Sequence, residues 1–403
     1  MQSTDSHQEL FTPEFMQDPH TLQARLRQDA PAHEVISPNN LRMWVVSRYE
    51  DARAMLADPT VLKDSAKLRE VMEANLVDQE NRREFAVELS QHMLNSDGAD
   101  HSRLRRLVTK AFTARRIEQM RPRVETITNE LLDAVSPGQR VDLLDAFAFP
   151  LPITVISELL GVPDDEREDF RQWSNSLVGN GTPEEVQHAG EAMVAYLGRL
   201  IADKRANPAD DMLTALVQAT DDSDRLSPVE LVSMAFLLLV AGHETTVNLI
   251  GNGTLALLNN PEQLAALRAD RSLMPTAVDE FLRFDSPVNM STFRFTTEPV
   301  ELDGVTIPAG QVVLVGLGSA NRDGDRFEHA DQLDITRPVG GHLGFGHGIH
   351  YCLGAPLARL EAEIAFTGLL DRFPDMKLAV PVPELRWRNS ILMHGLEELP
   401  VVL

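Results

Sequence analysis

A mostly α fold with a small β portion is what this sequence predicts, and three observations carry it. Apolar residues recur at three- and four-residue spacing, as in "DHSRLRRLVTKAFTARRIEQM" and "PRVETITNELLDAV", which is the period of an amphipathic helix. Alternating segments are few: "MWVVS" at 43–47, and "PVELDGVTIPAGQVVLVGL" at 299–317 punctuated by Gly304 and Pro308, the second read as a hairpin. The most apolar stretch carries its own helix-start signal.

That signal is Ser227 as N-cap, Pro228 at the first helical position and Glu230 three residues on, a capping box. The helix it opens runs past Leu249, long enough to be a central element. A further helix begins at "APLARLEAEIAF", with Pro356 in its first turn. Loop signals such as "SPGQR" at 136–140 and "ANPADD" at 206–211 are short, and no repeat or low-complexity tract divides the 403 residues. The expectation is one unit over 1–403, able to bury a bulky ligand.

With 37 basic against 61 acidic residues the formal charge is −24, which disfavours nucleic acid and anionic membranes as partners. "MQSTDSHQELFTPEF" has no basic region or apolar stretch, so no signal peptide is expected. "LVSMAFLLLVAG" at 231–242 is too short to span a bilayer and ends in His243 and Glu244. A lone cysteine excludes a disulfide framework. A cytoplasmic location is expected.

Cys352 is that cysteine, in "HLGFGHGIHYCLGAPLARLEAEIAF". Such a residue is ordinarily a small buried hydrophobe. Here Gly344, Gly346, Gly348 and Gly354 surround it and a helix follows, so the helix dipole favours its thiolate. A buried thiolate calls for a cation. Zinc fits poorly: His342, His347 and His350 are near, but no second cysteine exists and the spacing matches no common site. A phosphate loop also fails, since no Lys-Ser/Thr pair follows the glycines. In the central helix "HETTV" starts like a zinc-protease motif, but Val247 stands where its second histidine belongs. Thr245 or Thr246 could simply bond a carbonyl one turn back. Alternatively, a carboxylate and a hydroxyl in an apolar helix can relay protons.

"FGHGIHYCLG", with Phe345, Gly348, Cys352 and Gly354, resembles the haem-binding signature of the cytochrome P450 monooxygenases. "HSRLRR", "AGHETT" and "EFLR" follow the family's order, and the resemblance covers nearly the whole chain. It is closest to bacterial members that hydroxylate macrolides, sterol-like molecules and similar large apolar compounds. The resemblance implies a cytochrome P450 fold, a long central helix over a buried haem (heme b, iron protoporphyrin IX), and Cys352 as the iron's thiolate ligand. Phe345, Gly346, Gly354 and Ala241 would lie against the haem, and His101, Arg105, Arg294 and His350 would hold its propionates. Glu280, Arg283 and Arg337 would form a buried structural triad. Thr245 and Glu244 would deliver protons to dioxygen. The pocket would use Leu237, Val240 and Ala241, then Val288, Asn289 and Met290, then Ile391, Leu392 and Met393, with Asn289 as its main polar handle. Segments 63–95 and 165–190 would form covering loops. "DGADH" stands where Asp-Pro-Pro is usual, and Ala330 where proline is common.

Electrons would come from a separate ferredoxin and ferredoxin reductase, docking on Arg103, Arg106, Arg115, Arg116 and Arg359. The substrate would be a lipophilic small molecule and the enzyme a monomer. A peroxide-driven peroxygenase and a non-catalytic haem-thiolate sensor are the alternatives, and the Glu244–Thr245 pair argues against both.

Overall fold

The computed structural model describes residues 10–78, 89–163, 166–178, 182–221, 224–338 and 340–403. Helices dominate. The central one spans Pro228–Asn259, 32 residues, and opens with the expected capping box between Ser227 and Glu230. It is long and apolar enough to cross a membrane, yet 83% of its most apolar window is buried among other helices. Around it pack Pro150–Leu160, Pro183–Ala206, Met274–Phe284 and Ala355–Arg372. Small residues permit the closest crossings. A Cβ on Gly253 would sit 2.5 Å from the Phe366 ring and 2.9 Å from that of Phe281.

The expected helix through residues 100–120 is two helices, Gly98–Ala111 and Ala114–Asp133. The chain leaves helical geometry at Phe112, and the Thr113 hydroxyl caps the next helix by accepting from the Arg116 N–H. A Thr cap outweighs continued apolar periodicity there.

The β portion is small, as read. Its five-stranded sheet runs Ala32–Ile36, Arg42–Val46, Val312–Val315, Arg294–Thr296, Val61–Leu62 in spatial order. Val312–Val315 pairs parallel with Arg42–Val46, Trp44 lying opposite Val313. Val300–Leu302 and Val305–Ile307 form the predicted hairpin about Asp303 and Gly304. A three-stranded sheet joins Lys377–Leu378, Pro400–Val402 and Arg140–Asp142.

The segments expected to be covering loops are largely helical. Ser65–Ala74, Arg167–Val178 and Pro183–Ala206 occupy them, while 79–88, 165 and 179–181 lie outside the described residues. The last of these helices starts with a Thr182–Glu185 capping box, a local signal present in the sequence.

Candidate active site

Cys352 precedes the helix Ala355–Arg372 by three residues. The loop that delivers it is a tight hairpin, in which the Cys352 N–H donates to the Phe345 carbonyl at 2.9 Å. Gly346 and Gly348 both sit at φ +72, where a side chain is strained. At Gly348 a Cβ would also meet the Leu56 carbonyl at 2.9 Å. Phe345 is buried, with the Arg359 guanidinium 4.6 Å above its ring. Burial pushes the Cys352 thiol up, while the Gly354 and Ala355 N–H groups and the charges of Arg105 and Arg359 favour its thiolate. The free N–H groups and positive dipole of a helix start face the sulfur.

Beside it lies a cluster of positive groups. Arg105 couples to Cys352, and His101 couples to Arg105, Asp97 and Lys63. The His101 and His350 rings are 4.5 Å apart. Lys63, Arg294, His101 and the His350 side chain are buried. Burial and then the Arg294 charge press Lys63 well below its usual range. Arg294 is lowered to about 10 by burial. His350 is lowered to about 4 by burial, against the pull of Asp97. Among the described residues Asp97 is the carboxylate that faces this group, and it accepts the N–H groups of Lys63 and Asp64 at 2.7 Å each. Arg294 Nε and His101 Nε2 are buried without a partner. Three cations and two imidazoles against one carboxylate leave room for anions, and haem carries two carboxylates. The residues present therefore fit the group. Lys63 escaped the sequence reading because a lone lysine far from any motif gives no signal.

The Glu280–Arg283–Arg337 triad forms. Arg283 donates Nε and Nη2 to the two Glu280 oxygens at 2.8 Å each, both side chains being fully buried. Its Nη1 donates to the carbonyls of Asn321 and Ala330 at 2.8 Å. Arg337 Nε approaches Glu280 at 3.4 Å. Removing one partner of such a pair costs about 3–5 kcal/mol. Ala330, which replaces a common proline, supplies one of those carbonyls. Gly344 lies against the same helix, its Cβ position 2.9 Å from the Leu282 carbonyl, which links the triad to the cysteine loop.

On the central helix, Leu237 and Thr245 are half-buried and Ala241 is exposed, while most residues between them are buried. Their four-residue spacing puts them on one face of the helix. Thr245 Oγ1 donates to the Ala241 carbonyl at 2.9 Å, the bland bond one turn back. Glu244 is buried and its Oε1 accepts from Arg388 Nη1, a partner the sequence did not suggest. Its Oε2 has no hydrogen bond and stands 3.9 Å from His243 Nε2. His243 Nδ1 donates to the Leu239 carbonyl at 2.8 Å, and its Nε2 accepts from the Ser174 hydroxyl at 3.2 Å. Burial lowers this imidazole's pKa, so it stays neutral and has no proton to offer Glu244.

Among the other expected pocket residues, Val288, Ile391, Leu392 and Met393 are half-buried. Val240 and Met290 pack in separate apolar cores. Asn289 Oδ1 accepts from Gln23 Nε2 at 2.7 Å and packs at the Gly318 position, so that oxygen is engaged within the protein. A buried amide finds a partner within the protein.

Of the expected docking arginines, Arg103 pairs with Glu230 of the central helix's capping box, Arg116 with Asp210 at 3.0 Å, and Arg359 with Asp279 at 2.7 Å. Arg106 lines a hollow of about 500 Å³ together with His101, Arg105, Lys110 and Ile349, Ile349 being 58% exposed.

Comparison with known proteins agrees with this geometry. The cytochrome P450 family profile matches residues 169–394. Cytochrome P450 107B1 of Saccharopolyspora erythraea is 56% identical over 97% of this chain and 96% of its own length. The 6-deoxyerythronolide B hydroxylase of the same organism is 43% identical over 98% of each chain. The tirandamycin C-bound P450 monooxygenase TamI superposes with a TM-score of 0.91 at 52% identity, over 97% of this chain and 99% of that one. A cysteine set at a helix start beside an unbalanced basic cradle, with likeness running nearly end to end, places this chain in the cytochrome P450 family of haem monooxygenases.

Proposed function

We propose that the chain is a dioxygen-dependent hydroxylase of large, mostly apolar small molecules of macrolide, polyketide or sterol type. It acts as one haem domain over 1–403, a cytoplasmic monomer using heme b, with electrons from a separate ferredoxin and ferredoxin reductase. The observation that carries the reading is the sulfur at a helix start beside a buried basic cradle facing one carboxylate. Cys352 ligates the iron; Lys63, His101, Arg105, Arg294 and His350 hold the propionates, which offset the cost of burying those cations. Haem iron, when bound, supplies the activation of dioxygen and the transfer of one oxygen atom to a C–H bond.

The chain's own part in that chemistry is to bind, orient and supply protons. The half-exposed face of Leu237 and Ala241, with Val288, Ile391, Leu392 and Met393, offers an apolar wall without a charged side chain, suited to a lipophilic ligand. Tirandamycin C in TamI and 6-deoxyerythronolide B as its hydroxylase's namesake are compounds handled by relatives. Arg388, with its side chain 30% exposed, ties Glu244 to the outside. Glu244 Oε2, without a hydrogen-bond partner, is the atom that takes up a proton. Thr245 Oγ1 passes one on after breaking its bond to the Ala241 carbonyl, its lone pairs remaining able to accept.

The reading is tested with purified protein. The reduced carbon-monoxide complex is expected to show the red-shifted band of thiolate-bound haem, and Cys352→Ala to lose it with most of the haem. Product should form with oxygen and an electron-transfer pair, not with peroxide alone. Thr245→Ala should bind substrate and accept electrons but divert them to peroxide. A wild-type spectrum in Cys352→Ala overturns the ligand, turnover on peroxide alone favours a peroxygenase, and no turnover with bound substrate favours a sensor.

A further inference from the structure

Away from the haem site, the described residues hold one group of histidines and a carboxylate close enough to share an ion. His20 lies in the first turn of the helix Pro19–Asp29, Asp285 directly follows Met274–Phe284, and His394 lies in the C-terminal loop. Their ligand atoms all fall within 4.8 Å of one another. His20 Nε2 is 3.1 Å from Asp285 Oδ1, and His394 Nε2 is 3.0 Å from the same oxygen. Zinc bound at about 2.0–2.1 Å spaces tetrahedral ligands about 3.3 Å apart, and an octahedral ion about 2.9 Å. The observed spacings lie between the two.

A hydrogen-bonded triad would give similar distances, and His20 Nε2 does lie within hydrogen-bond geometry of Asp285 Oδ1. His394 Nε2 stands 3.0 Å from the same oxygen and is buried with no well-formed hydrogen bond of its own. His394 is only 6% exposed, so water does not readily satisfy that nitrogen, whereas an ion shared with Asp285 and His20 would.

The surroundings hold the ligands in place. Trp387 stacks on the His394 ring at 4.0 Å and 9°. Asn252 Nδ2 donates to the carbonyls of both Asp285 and His394, at 3.2 and 2.9 Å. Arg322 opposes a dication, and its guanidinium is partly neutralised by Asp331 at 3.3 Å.

We propose that His20, Asp285 and His394 bind a divalent transition metal, zinc matching the donor set best, with water completing its shell. The His20 side chain, 26% exposed, is the way in. The ion would staple the N-terminal helix to the loop that carries Arg388 and Ile391–Met393. The test uses tag-free, haem-loaded, chelator-stripped protein, because haem removes Cys352 as a competing ligand. Zinc chloride is titrated calorimetrically, and the thermal midpoint is followed with and without zinc. One equivalent should bind, His20→Gln should weaken it at least tenfold with an unchanged haem spectrum, and zinc should raise the midpoint of wild type only. Absence of uptake by wild type, or equal uptake by wild type and His20→Gln, overturns the site and leaves a hydrogen-bonded triad.

Discussion

His92 is buried without a partner for Nδ1, and burial followed by the nearby Lys63 charge lowers it from 6.5 to about 4. Between those values the unfolded chain binds a proton that the folded chain refuses, so stability falls as pH falls through that window. The loss reaches about 3 kcal/mol at the acid end. His92→Gln is expected to remove that part of the slope, read from urea midpoints at pH 6.5 and pH 4; equal slopes would show that His92 does not titrate this way. At this scale legibility follows locality. Cys352, Glu280, Arg283 and Glu244 stood out because each lies in a short run whose chemistry is odd for its setting. Lys63, Arg388 and Asp285 meet their partners across the fold, as in the Arg388–Glu244 bond, and nothing in their own neighbourhoods announces it. Asn289 shows the same limit: a polar residue in an apolar stretch suggests a ligand, but its bond to Gln23 of the helix Pro19–Asp29 could not be read from its own neighbourhood.

Elements were legible where a start signal accompanied periodicity. Ser227 and Glu230 marked the central helix, and Pro356 the one after Cys352. Boundaries failed where a cap sat inside an unbroken apolar pattern, as at Thr113. The covering segments were read as loops although Thr182 and Glu185 carry a capping box; a strong local signal was passed over for a fold-level expectation. Where helices cross, a single hydrogen sets the spacing. Phe281 and Phe366 meet with ring centroids 4.9 Å apart, over Gly253 of the central helix. A methyl there must push aromatic rings rather than a flexible chain end. Gly253→Ala is therefore expected to destabilise by about 1–3 kcal/mol despite its better helix propensity. A denaturation midpoint at or above wild type would mean that the three helices can separate without cost.

For the whole molecule the net charge of −24 would repel an acidic partner such as the proposed ferredoxin at long range, so its docking would depend on local charge within roughly 8 Å. Arg103 is a poor probe of that face, since its pairing with Glu230 makes it part of the central helix's start. Arg106 and Lys110 line the hollow beside Arg105 and Ile349. Arg106→Glu with Lys110→Glu should slow electron transfer from ferredoxin severalfold at low salt, leaving haem content and substrate affinity unchanged; equal rates would move the docking face elsewhere. The net charge was plain in the sequence, but its pairing was not, because Glu230, Asp210 and Asp279 reach their arginines only after folding. One further consequence lies in the parallel pairing of Trp44 with Val313. The strand Arg42–Val46 leaves the ribosome roughly 270 residues before its parallel neighbour. At about 5–20 residues per second its apolar edge waits some 15–50 s for a partner. That edge of the nascent strand therefore stays without its parallel neighbour for most of translation, open to pairing with another chain.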